Sequence, residues 1–266
     1  MTTTTDQFAV RRDGVTIPVT RGGRGRPLVL CPGLLTTQAD LRELIHLLRL
    51  DFDVMTFDLR GHGLSSAGER YSFDAFLSDF AAVMTELRRL RLPSAPLLVG
   101  HSLGADLIVH YAAEHAGEAA ELVLIDGANP VPEPFLTEAE LSSFHTMWKQ
   151  AVWANEAARG TPRQILLTTE QIVDLNVELD AIRSGLLDRY QEIDCPIHML
   201  MSSSMAGDNA DERAIRYNRN WRAGIERLLR ARPHITTSWL DADHGSVITH
   251  APHIARILHG RRHPVA

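Results

Sequence analysis

The chain has 266 residues, of which 44% are hydrophobic and 23% charged. That supplies enough apolar material for a sizeable core and excludes a disordered chain. The formal net charge of −6 argues against nucleic acid as a partner, and no apolar stretch reaches the length that spans a membrane.

Residues Met1 to Gln7 carry neither a basic start nor an apolar segment of the secretory kind. The two cysteines, Cys31 and Cys195, sit in or beside apolar runs, which reads as reduced thiols in a cytoplasmic protein and not as a disulfide framework. Between residues 7 and 20, two apolar-rich runs flank Asp13-Gly14, a hairpin signal. Gly22 to Arg26 reads as a loop. Leu28-Val29-Leu30-Cys31 is a short continuous apolar run bounded by prolines, the pattern of a buried strand. Thr36 or Thr37 then caps a helix carrying Leu41, Leu44, Ile45 and Leu48.

A strand from Phe52 to Phe57 ends in Asp58-Leu59-Arg60-Gly61-His62-Gly63-Leu64-Ser65, with glycines for tight turning. Asp58 and Arg60 read as braces and His62 as a loop histidine. Behind the cap Ser72, apolar residues from Phe73 to Leu90 recur at three- and four-residue spacing, so a helix covers them. Pro96 to Val99 is a further buried strand, and apolar spacing resumes as helical after Leu103. Between them lies Gly100-His101-Ser102-Leu103-Gly104. A serine in such a strand-to-helix turn presents its hydroxyl openly, and the helix start leaves the backbone N–H of Leu103 free for developing negative charge.

Another strand runs from Glu121 to Ile125, tipped by Asp126. Strands alternating with helices give an α/β architecture, a mostly parallel central sheet with helices on both faces. Residues 130–190 break the alternation with long helical patterns and no good strand. The sheet resumes at Pro196 to Met201, followed by the polar loop Ser202 to Asp211, a helix to about Arg232 and a last strand at Ile235 to Leu240. Asp241-Ala242-Asp243-His244-Gly245-Ser246 and a final helix, with His250 and His253 on its surface, close the chain.

The elbow Gly100–Gly104, in its strand-turn-helix setting, resembles the G-x-S-x-G nucleophile elbow of the α/β-hydrolase superfamily. Asp58–Ser65 resembles the loop after that superfamily's fourth strand. The resemblance implies an α/β-hydrolase core over 1–129 and 191–266, with 130–190 inserted as a helical cap lining an apolar pocket. It implies Ser102 as nucleophile and His244, just past the last strand, as its base, while His101 points away. Asp208, in the loop after the strand at Pro196, is where the acid usually stands. Asp126 is the alternative acid, and Asp211 stays open. The second oxyanion donor is the N–H of Leu34, where Pro32-Gly33 replaces the common His-Gly.

The implied function is a serine hydrolase acting on a small apolar ester, lactone or thioester by Ser-His-Asp acyl transfer, with no cofactor and no metal. Its partner is a small-molecule substrate, and a homo-oligomer is compatible with the sequence. Two alternatives stay open: a lyase, perhydrolase or C–C bond-cleaving member of the same fold, or a catalytically slow ligand receptor.

Overall fold

A computed structural model describes residues 6–209 and 211–261. The opening threonine run, on which the expectation about a secretory segment falls, lies outside the described residues, as does Ala210 of the polar loop.

The hairpin forms as expected. Strands β1 (Asp6–Arg12) and β2 (Val15–Gly23) pair antiparallel around Asp13 and Gly14, both at positive φ (47° and 76°), as a primed turn demands. The loop expected at Gly22–Arg26 is shorter in fact. Gly22 and Gly23 continue β2 by pairing with Val54 and Asp53, and Arg26 opens β3 (Arg26–Cys31). The backbone packs so closely here that a Cβ on Gly23 would lie 2.1 Å from the Phe52 carbonyl oxygen. Arg26 is buried against Glu121 at 3.0 Å, which holds it in the sheet.

The remaining strands are β4 (Phe52–Phe57), β5 (Leu97–His101), β6 (Glu121–Ile125), β7 (Ile197–Ser202) and β8 (Thr236–Leu240). They complete an eight-stranded sheet of order β1-β2-β4-β3-β5-β6-β7-β8, parallel from β4 to β8. Side chains alternate between its faces. Val29, Cys31, Leu98, Leu122 and Leu124 join one buried cluster, while Leu28, Leu30, Leu97, Val99, Val123 and Ile125 join the other. Both faces are therefore dry, which is why these strands read as unbroken apolar runs.

One face is covered by α1 (Arg42–Leu48) and, from the far end of the chain, by a later helix at Ala251–His259. Helix α1 starts later than its threonines suggest. Leu41 precedes it with no side-chain cap, and Thr37 instead donates its hydroxyl to Asp40 Oδ2 at 2.7 Å in a turn. The other face carries α2 (Phe73–Arg89), capped by Ser72 as expected, and α3 (Leu103–Glu114).

Between β6 and β7 the chain forms α4 (Leu141–Asn155), α5 (Thr169–Ser184) and α6 (Leu186–Gln191). Ile172, Leu175, Leu179, Leu186 and Tyr190 of α5 and α6 share the core cluster of the α2–α3 face, whereas α4 has no fully buried residue. Helix α7 (Glu212–Ala231) buries Trp221, Ile225 and Leu228, and α8 (Ser246–Thr249) and α9 (Ala251–His259) end the chain. No helix among the described residues is long and apolar enough to cross a membrane. Cys31 and Cys195 are unpaired.

Candidate active site

Ser102 sits where β5 ends and α3 begins, at φ 50° and ψ −122°. This left-handed conformation is unusual for a residue with a side chain and is held from both sides. The Ser102 N–H donates to the Ile125 carbonyl of β6 at 2.9 Å, and its own carbonyl accepts from Ala105 at 2.9 Å. The elbow glycines are required by packing. A Cβ on Gly100 would lie 2.6 Å from the Gly104 carbonyl carbon, and one on Gly104 would lie 2.4 Å from the Cys31 oxygen.

The hydroxyl of Ser102 lies 3.0 Å from Nε2 of His244, and Nδ1 of His244 lies 3.2 Å from Oδ2 of Asp126. A proton on Nδ1, facing the carboxylate, leaves Nε2 free to accept from the serine. The three side chains come from the C-terminal ends of β5 and β6 and from the loop after β8, the edge where open parallel sheets present their sites.

Asp126 is fully buried. Its Oδ1 accepts from the Ser202 N–H at 2.9 Å and from the Trp221 indole at 3.2 Å. Burial alone would push this carboxyl up, but the hydrogen bonds from His244 and Ser202 outweigh it and hold Asp126 below the usual range. Asp126 and Ala128 both take positive φ (48° and 49°) in the turn that aims the carboxylate.

His244 is fixed through its backbone. Its N–H donates to the Met205 carbonyl at 3.1 Å, and its carbonyl accepts from Nε2 of His101 at 3.1 Å. His101 thus turns away from the serine hydroxyl and grips the histidine loop. Burial first, and then the neighbouring His244, push its imidazole down, so it stays neutral.

The backbone N–H groups of Leu34 and Leu103 have no partner among the described residues, and both residues line the cavity that Ser102 and His244 face. The loop carrying Leu34 is pinned by His62. That imidazole donates from Nδ1 to the Arg60 carbonyl at 2.8 Å and accepts the Leu35 N–H on Nε2 at 3.0 Å. Leu35 is at φ 61°, a costly conformation for a leucine that this bond secures. Burial pushes His62 down to about 4, which keeps Nε2 an acceptor. From the sequence alone His62 reads as a loop histidine. The signal available was its place between glycines beside the elbow, but its burial was not legible.

The cavity holds about 220 Å³. Leu34, Leu103, Phe135, Trp148, Leu179 and Trp221 make most of its wall apolar, and Asp180 and Arg183 add a polar end.

A family model described as the alpha/beta hydrolase fold matches residues 26–173. The chain belongs to the α/β-hydrolase fold family. Within this α/β-hydrolase framework the chain is 28% identical over 213 residues to 2-(acetamidomethylene)succinate hydrolase of Mesorhizobium japonicum, covering 77% of this chain and 70% of that one. It is 32% identical over 127 residues to a non-heme haloperoxidase of Rhodococcus erythropolis, covering 47% of this chain but only 45% of that relative's length. Its backbone superposes on an esterase of Exiguobacterium antarcticum with a TM-score of 0.73, at 18% identity, over 96% of this chain and 98% of that one.

In this α/β-hydrolase chain the structure brings together Ser102, His244 and Asp126, with Leu34 and Leu103 beside them. It does not bring in Asp208, the acid expected first. Asp208 is exposed in the loop after β7, lining a surface groove with Arg219 and Arg222, and the side-chain bonds of His244 among the described residues go to Asp126 and Ser102. The end of β7 instead supplies the Ser202 N–H that holds Asp126. Asp211 is spent differently, its carboxylate accepting the Arg213 N–H to cap α7. Asp58 and Arg60 are braces as expected. Asp58 accepts from the backbone of Gln38 (2.7 Å) and Leu64 (3.0 Å), and Arg60 makes two 2.7 Å bonds to buried Asp79. Among the described residues no cluster of His, Cys, Asp or Glu side chains is placed to hold a metal ion.

Proposed function

We propose that this chain is a serine hydrolase that cleaves a small carboxylic ester, lactone or thioester by acyl transfer. The observation that carries this reading is the unbroken relay from Ser102 through His244 to Asp126, at 3.0 Å and 3.2 Å. A serine hydroxyl is a poor nucleophile until a base takes its proton, and the base must be held in one tautomer.

Ser102 Oγ attacks the carbonyl carbon while its proton passes to His244 Nε2. The N–H groups of Leu34 and Leu103 stabilise the tetrahedral oxyanion, each worth on the order of 3 kcal/mol in the transition state. The His244 imidazolium then protonates the departing alkoxide or thiolate. Water attacks the acyl-enzyme with His244 again as base, the acid is released, and the proton returns to Ser102. Residues 130–190 act as a lid, with α4 and α5 lining the apolar cavity beside Ser102 and His244. The two unpaired thiols suit a cytoplasmic setting.

A fluorophosphonate probe tests the reading. The expected result is a covalent mass increment on Ser102, absent from Ser102→Ala, together with turnover of short-chain aryl esters. A native protein left unlabelled alongside a labelled control esterase would end the proposal.

A further inference from the structure

The polar end of the cavity is built, not incidental. Arg183, near the C-terminus of α5, is only 12% exposed, and it donates from Nε (3.2 Å) and Nη2 (2.6 Å) to the fully buried carboxylate of Asp106. Asp106 lies four residues after Ser102 on α3, one helical turn or roughly 6 Å along the axis. Arg183, held by Asp106, therefore lines the same cavity as Ser102. Its remaining nitrogen, Nη1, has no partner among the described residues.

Three residues earlier, on the same face of α5, Asp180 also lines the cavity. Its Oδ2 accepts the Leu136 N–H at 2.9 Å, and its Oδ1 has no partner among the described residues. A third wall residue, Trp148, has its indole Nε1 buried without a partner among the described residues. The wall therefore offers unmet donors and, in Asp180 Oδ1, an unmet anionic acceptor. With the buried Asp106 behind Arg183, two carboxylates at this end of the cavity stand against the single guanidinium.

We propose that Arg183 and Asp180 form a specificity subsite for a neutral carboxamide carried a few bonds from the scissile carbonyl of the substrate. Nη1 of Arg183 donates to the amide oxygen, and Oδ1 of Asp180 accepts an amide N–H. A carboxylate in the same place has the right shape and the wrong charge. It gains nothing beyond what Asp106 already takes from the guanidinium, and it faces Asp180 directly. The subsite rests on the serine-hydrolase reading for the position of the scissile bond, but its polarity stands apart from it.

Three ethyl esters of matched shape provide the test: ethyl 4-methylpentanoate, ethyl succinamate and monoethyl succinate, followed by pH-stat with subtraction of the uncatalysed rate. The amide ester is expected to exceed the methylpentanoate in kcat/KM by about tenfold, the worth of one charge-assisted hydrogen bond, and the succinate monoester is expected to fall below the methylpentanoate. In Asp180→Asn the ratio of succinate to succinamate rates should rise about tenfold, because the repelling charge is gone while the acceptor for Leu136 is kept. The same ligands titrated calorimetrically into Ser102→Ala report affinity without turnover. If no ester is cleaved and Ser102 resists labelling, the hydrolase reading fails while the affinities still decide the subsite. Preference for the carboxylate, or equal treatment of all three, overturns the subsite.

Discussion

His244 meets Asp126 across 118 residues of sequence, Nδ1 to Oδ2 at 3.2 Å, although Asp208 lies much nearer to it along the chain. The sheet order explains this. β6 lies between β5 and β7, so its end faces the Ser102 turn. The loop after β8 folds back across the end of β7, where the Ser202 hydroxyl donates to the Asp243 carbonyl at 2.7 Å. β7 therefore serves as a brace for both partners, and the carboxylate that meets His244 stands directly after β6.

Asp126→Asn should keep the bonds from Ser202 and Trp221 through its amide oxygen but turn an NH₂ toward Nδ1 of His244. The tautomer is then wrong, and kcat is expected to fall on the order of 10⁴-fold. Asp208→Asn should stay within about twofold of wild type, as befits an exposed side chain remote from the chemistry. Steady-state ester hydrolysis on both variants decides between the two carboxylates; a larger loss in the Asp208 variant would reverse the assignment.

His62→Leu should uncouple Leu35 from its acceptor and loosen the loop that carries the Leu34 N–H. The expected loss is about tenfold in kcat with KM within about twofold, smaller than for removal of a donor itself because His62 acts through its neighbour. His62→Gln, able to accept the same N–H, should recover part of it. A rise in KM at constant kcat would place His62 in substrate binding instead.

Acidification should destabilise the fold between about pH 6.5 and 4. Burial lowers His62 from 6.5 to about 4, and burial with the Arg261 charge does the same to His198. In that window the unfolded chain binds protons that the folded chain refuses. Stability is therefore complete above about pH 6.5 and is lost as pH falls toward 4, with His62 alone worth on the order of 3 kcal/mol. Thermal midpoints measured from pH 7.5 to 4.5 should fall steadily on the acid side, and the slope should be shallower in His62→Gln. A midpoint independent of pH in this range would show that these imidazoles are not held neutral.

Arg60→Met should unfold at a markedly lower urea concentration. Arg60 and Asp79 are 4% and 2% exposed, and removing the guanidinium strands a buried carboxylate that burial already pushes up. The expected cost is about 3–5 kcal/mol. The double variant Arg60→Met/Asp79→Leu should regain much of it, since the stranded charge is then gone; no recovery would trace the loss to packing of the arginine stem.

The sequence by itself determined the sheet, the elbow and the helices of the two faces. Runs such as Leu28–Cys31 and Leu122–Ile125 are apolar on both faces, a pattern that only a strand covered on each side requires, and Gly100 and Gly104 mark the close approach at Ser102. Those are local signals, written in neighbouring residues. The meeting of His244 with Asp126 and not with Asp208, the grip of His62 on Leu35 and of His101 on the His244 loop, and the pairing of Arg183 with Asp106 were decided only by tertiary structure. Each joins groups distant in sequence through burial and one or two hydrogen bonds, and an aspartate or histidine in a polar loop reads the same whether its side chain ends in solvent or in the core.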